Sequence, residues 1–330
     1  MRQFDWVALA VVTVCVVNSV RADDLWVSYP GGDGPGKGKR IVFVTGDDEY
    51  RSEESMPMLA KILARRHGFD CTVLFAIDPK TGAIDPSVQN NIPGLEKLDD
   101  ADLMVMFTRF RDLPAGQMEH VLKYTNSGKL IIGIRTATHA FNFPRESPFA
   151  KWTWNAPDGG WGRTVLGETW ISHYGNHMQE STRGTVVPDR KDEPIVRGVG
   201  DIWCETDVYG IKSLSGDGKP LLMGQPLQGM KPTDPPNTDK PPLPVAWTKS
   251  YTGIEGKAAR VFATTMGGPN DFKDENLRRL LVNACYWGIG LEEKIPEKND
   301  VQIVGPYSPT RLGFDKYQRG VKPAELTMKE

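Results

Sequence analysis

From residue 40 onward the chain alternates between short runs that are apolar throughout and longer segments whose apolar positions recur every three or four residues. Residues 40–46 (RIVFVTG) predict a strand, 52–68 (SEESMPMLAKILARRHG) a helix with Met58, Leu59, Ile62 and Leu63 on one face, and 71–77 (CTVLFAI) a second strand. DLMVMFT at 102–108 predicts a third strand, 114–129 a helix with Pro114 near its start and Gly128 at its end, and LIIGI at 130–134 a fourth strand. Strands apolar along their whole length, separated by helices, predict a parallel sheet covered on both faces, an α/β fold.

Beyond residue 145 the pattern loosens. WISHY (170–174), GTVVP (184–188), PLLMG (220–224), LPVAWTKSY (243–251) and ARVFATTM (259–266) predict irregular additional strands, and 275–290 a closing helix with Leu277, Leu280, Leu281, Val282 and Cys285 inward. The proline-rich stretch 231–244 predicts an exposed loop. Residues 291–330, charged with aromatics at intervals, predict a tail that wraps the domain, and no internal repeat is visible.

The 330 residues suffice for one large α/β domain with a sizeable core. A formal net charge of −2, with no cluster of Lys and Arg, argues against nucleic acid as a partner. Residues 1–22 combine a short head with one Arg, the apolar run VALAVVTVCVV and a small-residue ending at Ala22, the pattern of a secretory signal peptide. The expectation is an exported protein with no membrane attachment after cleavage near Ala22, with 23–39 a linker leading into a domain at 40–290. Cleavage leaves Cys71, Cys204 and Cys285, expected to be buried thiols acting as small hydrophobes.

In an open parallel sheet, ligands bind beyond the carboxyl ends of the strands. That rule selects TGDDEYRSEE after the first strand, FTRFRD after the third and RTATHAF after the fourth. One pocket would then hold Asp47, Asp48, Glu49, Arg51, Glu53, Glu54, Arg109, Arg135 and His139. Acids and arginines packed together either neutralise one another or await a polar ligand, because an unpaired buried charge is expensive. In the functional reading Asp48 or Glu49 is a general base, Arg135 and Arg109 stabilise an anion, and His139 carries a proton or anchors the ligand. Asp47, Arg51 and Thr136 are placed as ligand contacts.

The turn after LIIGI, the segments LGETWISHYGNH, EPIVRGVGDIWCETDVYG and LPVAWTKSY, and ARVFATTMGG before the closing helix together resemble the ThuA-like (trehalose-utilisation) family over roughly residues 40–290. The resemblance implies a flavodoxin-like sheet of the class I glutamine amidotransferase type and a link to disaccharide metabolism, with a small sugar or sugar-acid ligand. Arg135 or Thr136 stands where an amidotransferase has its Cys, so glutaminase activity is not expected; Thr136 with His139 makes a poor nucleophile pair. Arg135 also replaces a His common in the family, and Gly267 and Gly268 stand where a Gly-His is often found. The family's ETDVYG segment adds Glu205, Asp207 and Tyr209 as ligand contacts.

His173 and His177 remain, four apart, a spacing that can hold zinc on a helix, although Gly175 between them disfavours one. Trp152, Trp154 and Trp161 could stack on a sugar or simply pack. The expectation is an exported domain that binds, hydrolyses or isomerises a small sugar derivative. The alternatives are a non-catalytic module binding a glycan or protein, and a zinc-dependent hydrolase.

Overall fold

The computed structural model describes residues 24–211 and 213–328; the signal-like segment lies outside them. Ten strands form one mixed sheet: β1 (Trp26–Tyr29), β2 (Arg40–Gly46), β3 (Asp70–Leu74), β4 (Leu103–Thr108), β5 (Leu130–Ile134), β6 (Thr182–Val186), β7 (Ile202–Cys204), β8 (Lys219–Pro226), β9 (Leu243–Thr252) and β10 (Ala258–Thr264). Their spatial order is β1-β3-β2-β4-β5-β10-β9-β8-β6-β7. β3, β2, β4, β5 and β10 run parallel. β1 pairs antiparallel with β3, and β9, β8, β6 and β7 continue the other side antiparallel.

Three helices, α1 (Ser52–His67), α2 (Ala115–Asn126) and α3 (Glu275–Ile289), cover the sheet. Alternation along the strands divides the core in two, because successive side chains point to opposite faces. Ile41, Phe43, Val73, Val105 and Ile132 face Leu59, Ile62 and Leu63 of α1 and Leu277 and Leu281 of α3. Val42, Val44, Met104, Met106 and Ile131 face Met118 and Val121 of α2 together with Trp161 and Leu166. Gly133 leaves room there: a Cβ on it would stand 2.4 Å from a methyl of Leu166.

The sheet is larger and more mixed than a parallel core with irregular additions. Residues 23–39, read as a linker, contain β1, which pairs in register with β3 from Trp26↔Leu74 to Tyr29↔Cys71. WISHY forms no strand; only His173 makes an isolated bridge, to Tyr209. The segment instead folds back around residues 207–210, with Tyr174 and Gly175 N–H donating to the Val208 carbonyl and Gly210 N–H to that of Ser172. Cys71, Cys204 and Cys285 are buried free thiols.

The chain after α3 runs along the outside of α1. Arg66 donates to the Gln302 carbonyl, Thr310 binds the Glu54 carboxylate, Ile84 N–H donates to the Val321 carbonyl and Tyr29 Oη to that of Leu326. Among the described residues no helix is long and apolar enough to cross a membrane.

Candidate functional site

The loops leaving β2, β4 and β5 meet at one end of the sheet, and two residues staple them. Asp47 Oδ1 accepts from the N–H groups of Glu49 (2.7 Å) and Tyr50 (2.6 Å), and its Oδ2 takes the Thr136 hydroxyl. Both residues are fully buried. Burial raises the Asp47 pKa against the opposing pull of these hydrogen bonds. Their polar atoms are thus spent inside the protein, which corrects the placing of Asp47 and Thr136 as ligand contacts and leaves Thr136 no room as a nucleophile.

Arg51 is corrected in the same way. It sits in the left-handed region (φ 58), fully buried, and donates to the backbone carbonyls of Asp48, Glu49, Arg311 and Gly313 and to the Glu53 carboxylate. It clamps the β2 loop to the C-terminal tail.

Arg135 opens the turn after β5 in the left-handed region, with φ 47. Its guanidinium is fully buried between the rings of Tyr50 (4.5 Å) and Tyr209 (4.0 Å). One terminal nitrogen donates to the carbonyls of Asp207 (2.8 Å) and Thr265 (2.6 Å), the other to Asp207 Oδ1 (3.1 Å) and Tyr50 Oη (3.3 Å). The cation stands on the same side as the acidic loop, as its contact with Tyr50 requires. It does not reach solvent, so its work is to hold Asp207 rather than to touch a ligand anion.

Asp207 is the hub. Oδ2 accepts from His173 Nδ1 (2.7 Å), and Oδ1 from His177 Nδ1 (2.9 Å) besides Arg135. Burial alone would raise its pKa, but Arg135 and the two histidines outweigh that and hold it well below the usual carboxylate range. Nε2 of His177 faces Glu49 Oε1 at 3.4 Å. Hydrogen bonding to Asp207 first, then to Glu49, pushes the His177 pKa up to about 9. Glu49 stays below its ordinary pKa because His177 and Arg109 overcome the effect of burial.

No helix presents the two histidines; a loop does, by wrapping closely around Asp207. Gly175 allows the approach, since a Cβ there would meet Asp207 Cβ at 3.0 Å and the Val208 nitrogen at 3.2 Å. The glycine that argued against a helical clamp is what lets a loop clamp form. One nitrogen each from His173 and His177 and an oxygen of Asp207 lie within 4.8 Å of one another, a geometry that could hold a metal ion.

Asp48 and Arg109 pair at 3.0 Å, each partly exposed, and Arg109 also approaches Glu49 (3.6 Å). A row of rings borders them: Phe110 lies 5.6 Å from Trp154, Trp154 5.8 Å from Trp170, and Trp170 5.8 Å from His173. Of the three tryptophans singled out in the sequence only Trp154 joins this row; Trp161 is buried in the core. Phe110, Tyr50 and Trp170 lie in stretches the sequence singled out without being named as site residues, and the tail residue Phe314, which covers the Arg109 guanidinium at 4.9 Å, carried no motif that marks it.

Three further placements change. His139 is buried beside Phe110, Trp170 and Tyr209, and desolvation, with the charges of Arg109, Arg135 and His173, drives its pKa well below the ordinary value. It is a neutral packing residue, not a proton carrier. Glu205 accepts from Asn270 (2.7 Å) in a surface recess with Trp203 and Lys273, while Tyr209 is buried beneath Arg135.

Fold and site together define an α/β protein with a mixed sheet whose polar center lies at the carboxyl ends of its parallel strands. The family model described as "ThuA: Trehalose utilisation" matches residues 40–288, and the chain belongs to that family. Among solved structures it is similar to a putative ThuA-like protein from Parabacteroides merdae (14% identity, TM-score 0.48, covering 85% of this chain and 96% of that one). Another such protein, from Bacteroides uniformis, shows 16% identity and TM-score 0.46, covering 78% of this chain and 94% of that one. No curated protein matches the sequence.

Proposed function

We propose that this site binds a small sugar derivative and acts on it by acid–base chemistry, with His177 as the proton donor. The observation that carries the reading is the position of His177, whose two ring nitrogens face the carboxylates of Asp207 and Glu49. A histidine so held is an imidazolium at neutral pH and can give its proton to a departing glycosidic oxygen or to a sugar carbonyl. Asp48 or Glu49 then takes the balancing proton from water or from the carbon beside that carbonyl, and the row from Phe110 to Trp170 offers a face for the sugar ring. Reading the five parallel strands as a flavodoxin-like core supports this placement, because such sheets bind ligands where β2 and β4 diverge.

The test is a thermal-shift and turnover screen of mono- and disaccharides, sugar acids and oxidised sugars. A ligand that binds the folded state must raise Tm. His177→Gln is expected to keep binding and lose turnover by roughly 10²–10⁴-fold, the usual worth of a general acid. Binding without turnover in either form would leave a glycan-binding module; no shift with any sugar overturns the reading.

A second reading is favoured by the convergence of His173, His177 and Asp207: a zinc ion held by two imidazoles and a carboxylate. The donor set suits zinc, and Arg135 beside Asp207 disfavours a second cation. The two readings exclude each other at His177, which must be neutral to ligate and charged to donate. Stoichiometric zinc in purified protein, lost in His177→Ala, decides for the metal. Export is part of the proposal; amino-terminal sequencing of the mature protein, expected to begin just after Ala22, tests it.

A further inference from the structure

The proline-rich stretch 231–244 is largely exposed, as its sequence predicts, but Asn237 and Lys240 turn inward from it. Gln225 on β8 pins the loop, its amide donating to the carbonyls of Asn237 (2.9 Å) and Lys240 (3.0 Å), and Asn237 N–H donates to the Pro226 carbonyl (2.8 Å). Pro235, Pro236, Pro241 and Pro242 fix their own φ angles, so little further freedom is lost in holding this shape. Two of its side chains reach Glu180: Asn237 Nδ2 donates to Oε1 (2.6 Å) and Lys240 Nζ to Oε2 (2.6 Å). Glu180 is only 6% exposed, and its Oε2 also accepts from the Asn176 N–H (2.6 Å). The Tyr174 hydroxyl donates to the Pro241 carbonyl (3.0 Å). Glu180, Asn176 and Tyr174 all belong to the segment that carries His173 and His177.

We propose that Glu180, held by Asn237 and Lys240, is a positioning residue for His177, and that the proline-rich loop is the outer half of a clamp that keeps this ring between Asp207 and Glu49. The proposal rests on His177 being the working group of the site. His177 stands between two anchor points. On one side the N–H groups of Tyr174 (2.9 Å) and Gly175 (3.0 Å) are tied to the Val208 carbonyl, directly after Asp207. On the other, the N–H groups of Gln179 (3.0 Å) and Glu180 (2.9 Å) donate to the Asn176 carbonyl, which belongs to the peptide plane leading into His177. The Glu180 carboxylate closes that turn from outside through the Asn176 N–H, and Met178 within it holds φ 58, a conformation that its surroundings must enforce. Removing the carboxylate strips the Asn176 N–H, the Asn237 amide and the Lys240 ammonium of a shared acceptor in a largely buried place. The turn that sets the His177 backbone then loses its outer support.

The test reads the His177 ring itself in the full chain, by NMR with histidine-selective ¹⁵N labelling; the chain has five histidines, and His177→Gln assigns the signal. In wild type the Nδ1 proton given to Asp207 is expected as a downfield resonance that exchanges slowly with water. Glu180→Ala is expected to shift that resonance and to speed its exchange roughly tenfold or more, as the loss of a buried acceptor demands. Glu180→Gln keeps an oxygen for Asn176 and Lys240 and is expected to lie close to wild type. Val121→Ala, a buried position on α2, destabilises the core without touching the clamp and is expected to leave the ring signal in place. Should Glu180→Ala fail to fold, Lys240→Met tests the same clamp, with a shift in the same direction. A wild-type ring signal in folded Glu180→Ala, or in Lys240→Met where the first variant does not fold, overturns the proposal, and so does an equal shift in Val121→Ala. The sugar screen measures binding and turnover instead, so either reading can fail alone.

Discussion

At the scale of single residues, the site rests on one buried cation and one raised histidine. Removing the Arg135 guanidinium leaves Asp207 buried without its main counter-charge, and breaking a buried pair from one side costs about 3–5 kcal/mol. Arg135→Met is therefore expected to lower urea-unfolding stability by about that much. Arg135→Lys restores little of it, because a single ammonium cannot serve two carbonyls, a carboxylate and two ring faces at once. A loss under about 1 kcal/mol would show that Asp207 does not depend on Arg135.

His177 supplies the pH dependence. Its folded pKa, about 9, lies above the ordinary value near 6.5, so its contribution is complete below pH 6.5 and fades as pH rises through about 9. The Tm advantage of wild type over His177→Gln should thus shrink across that window. Asp207 and Glu49, both depressed, act at the acid end: their contribution is present above their unfolded values and disappears as pH falls. An NMR titration of the ring that placed His177 near 6.5 would remove the basis for a charged proton donor. The carboxylates, Arg135 and the histidines were legible as residue types. Their division of labour was not, since whether an arginine faces solvent or a tyrosine ring depends on packing between segments more than seventy residues apart.

At the scale of elements, periodicity located β2, β4, β5, α1 and α2 within a few residues, because each buries a regular face or lies buried along its length. It missed β1, four residues whose partner is distant in sequence, and misread WISHY. An apolar–polar alternation there answers to the needs of His173 at Asp207 rather than to a sheet. α3 begins at a side-chain cap: Asp274 accepts from the N–H groups of Asn276 (2.8 Å) and Leu277 (3.2 Å), and its other oxygen from Trp203 N–H (3.0 Å). Asp274→Ala removes the cap and a tie to the start of β7, and is expected to cost about 1–2 kcal/mol in urea unfolding with no change in the denaturant slope. A neutral result would mean that water takes over all three donors.

At the scale of the whole molecule, the C-terminal tail reaches both the core domain's flank and its polar center. Gly313 N–H donates to the Glu49 carbonyl (2.8 Å), the Arg51 guanidinium binds the Gly313 carbonyl, and Phe314 lies on Arg109. The family match ends at residue 288, so these contacts come from outside the matched region. Ending the chain at residue 307 would strip Arg51 of two carbonyl acceptors, Glu54 of Thr310, Ile84 N–H of Val321 and the Tyr29 hydroxyl of Leu326. At about 0.5–1.5 kcal/mol for each net hydrogen bond, plus exposure of apolar side chains on α1, the loss should be at least about 3–5 kcal/mol. Because the loop that carries Glu49 loses its clamp at the same time, the His177 midpoint should move down toward its ordinary value in the truncated chain. The two readouts separate two roles for the tail. A drop in Tm with an unmoved His177 midpoint would make it a cover for α1 alone, whereas movement of both makes it part of the site's frame.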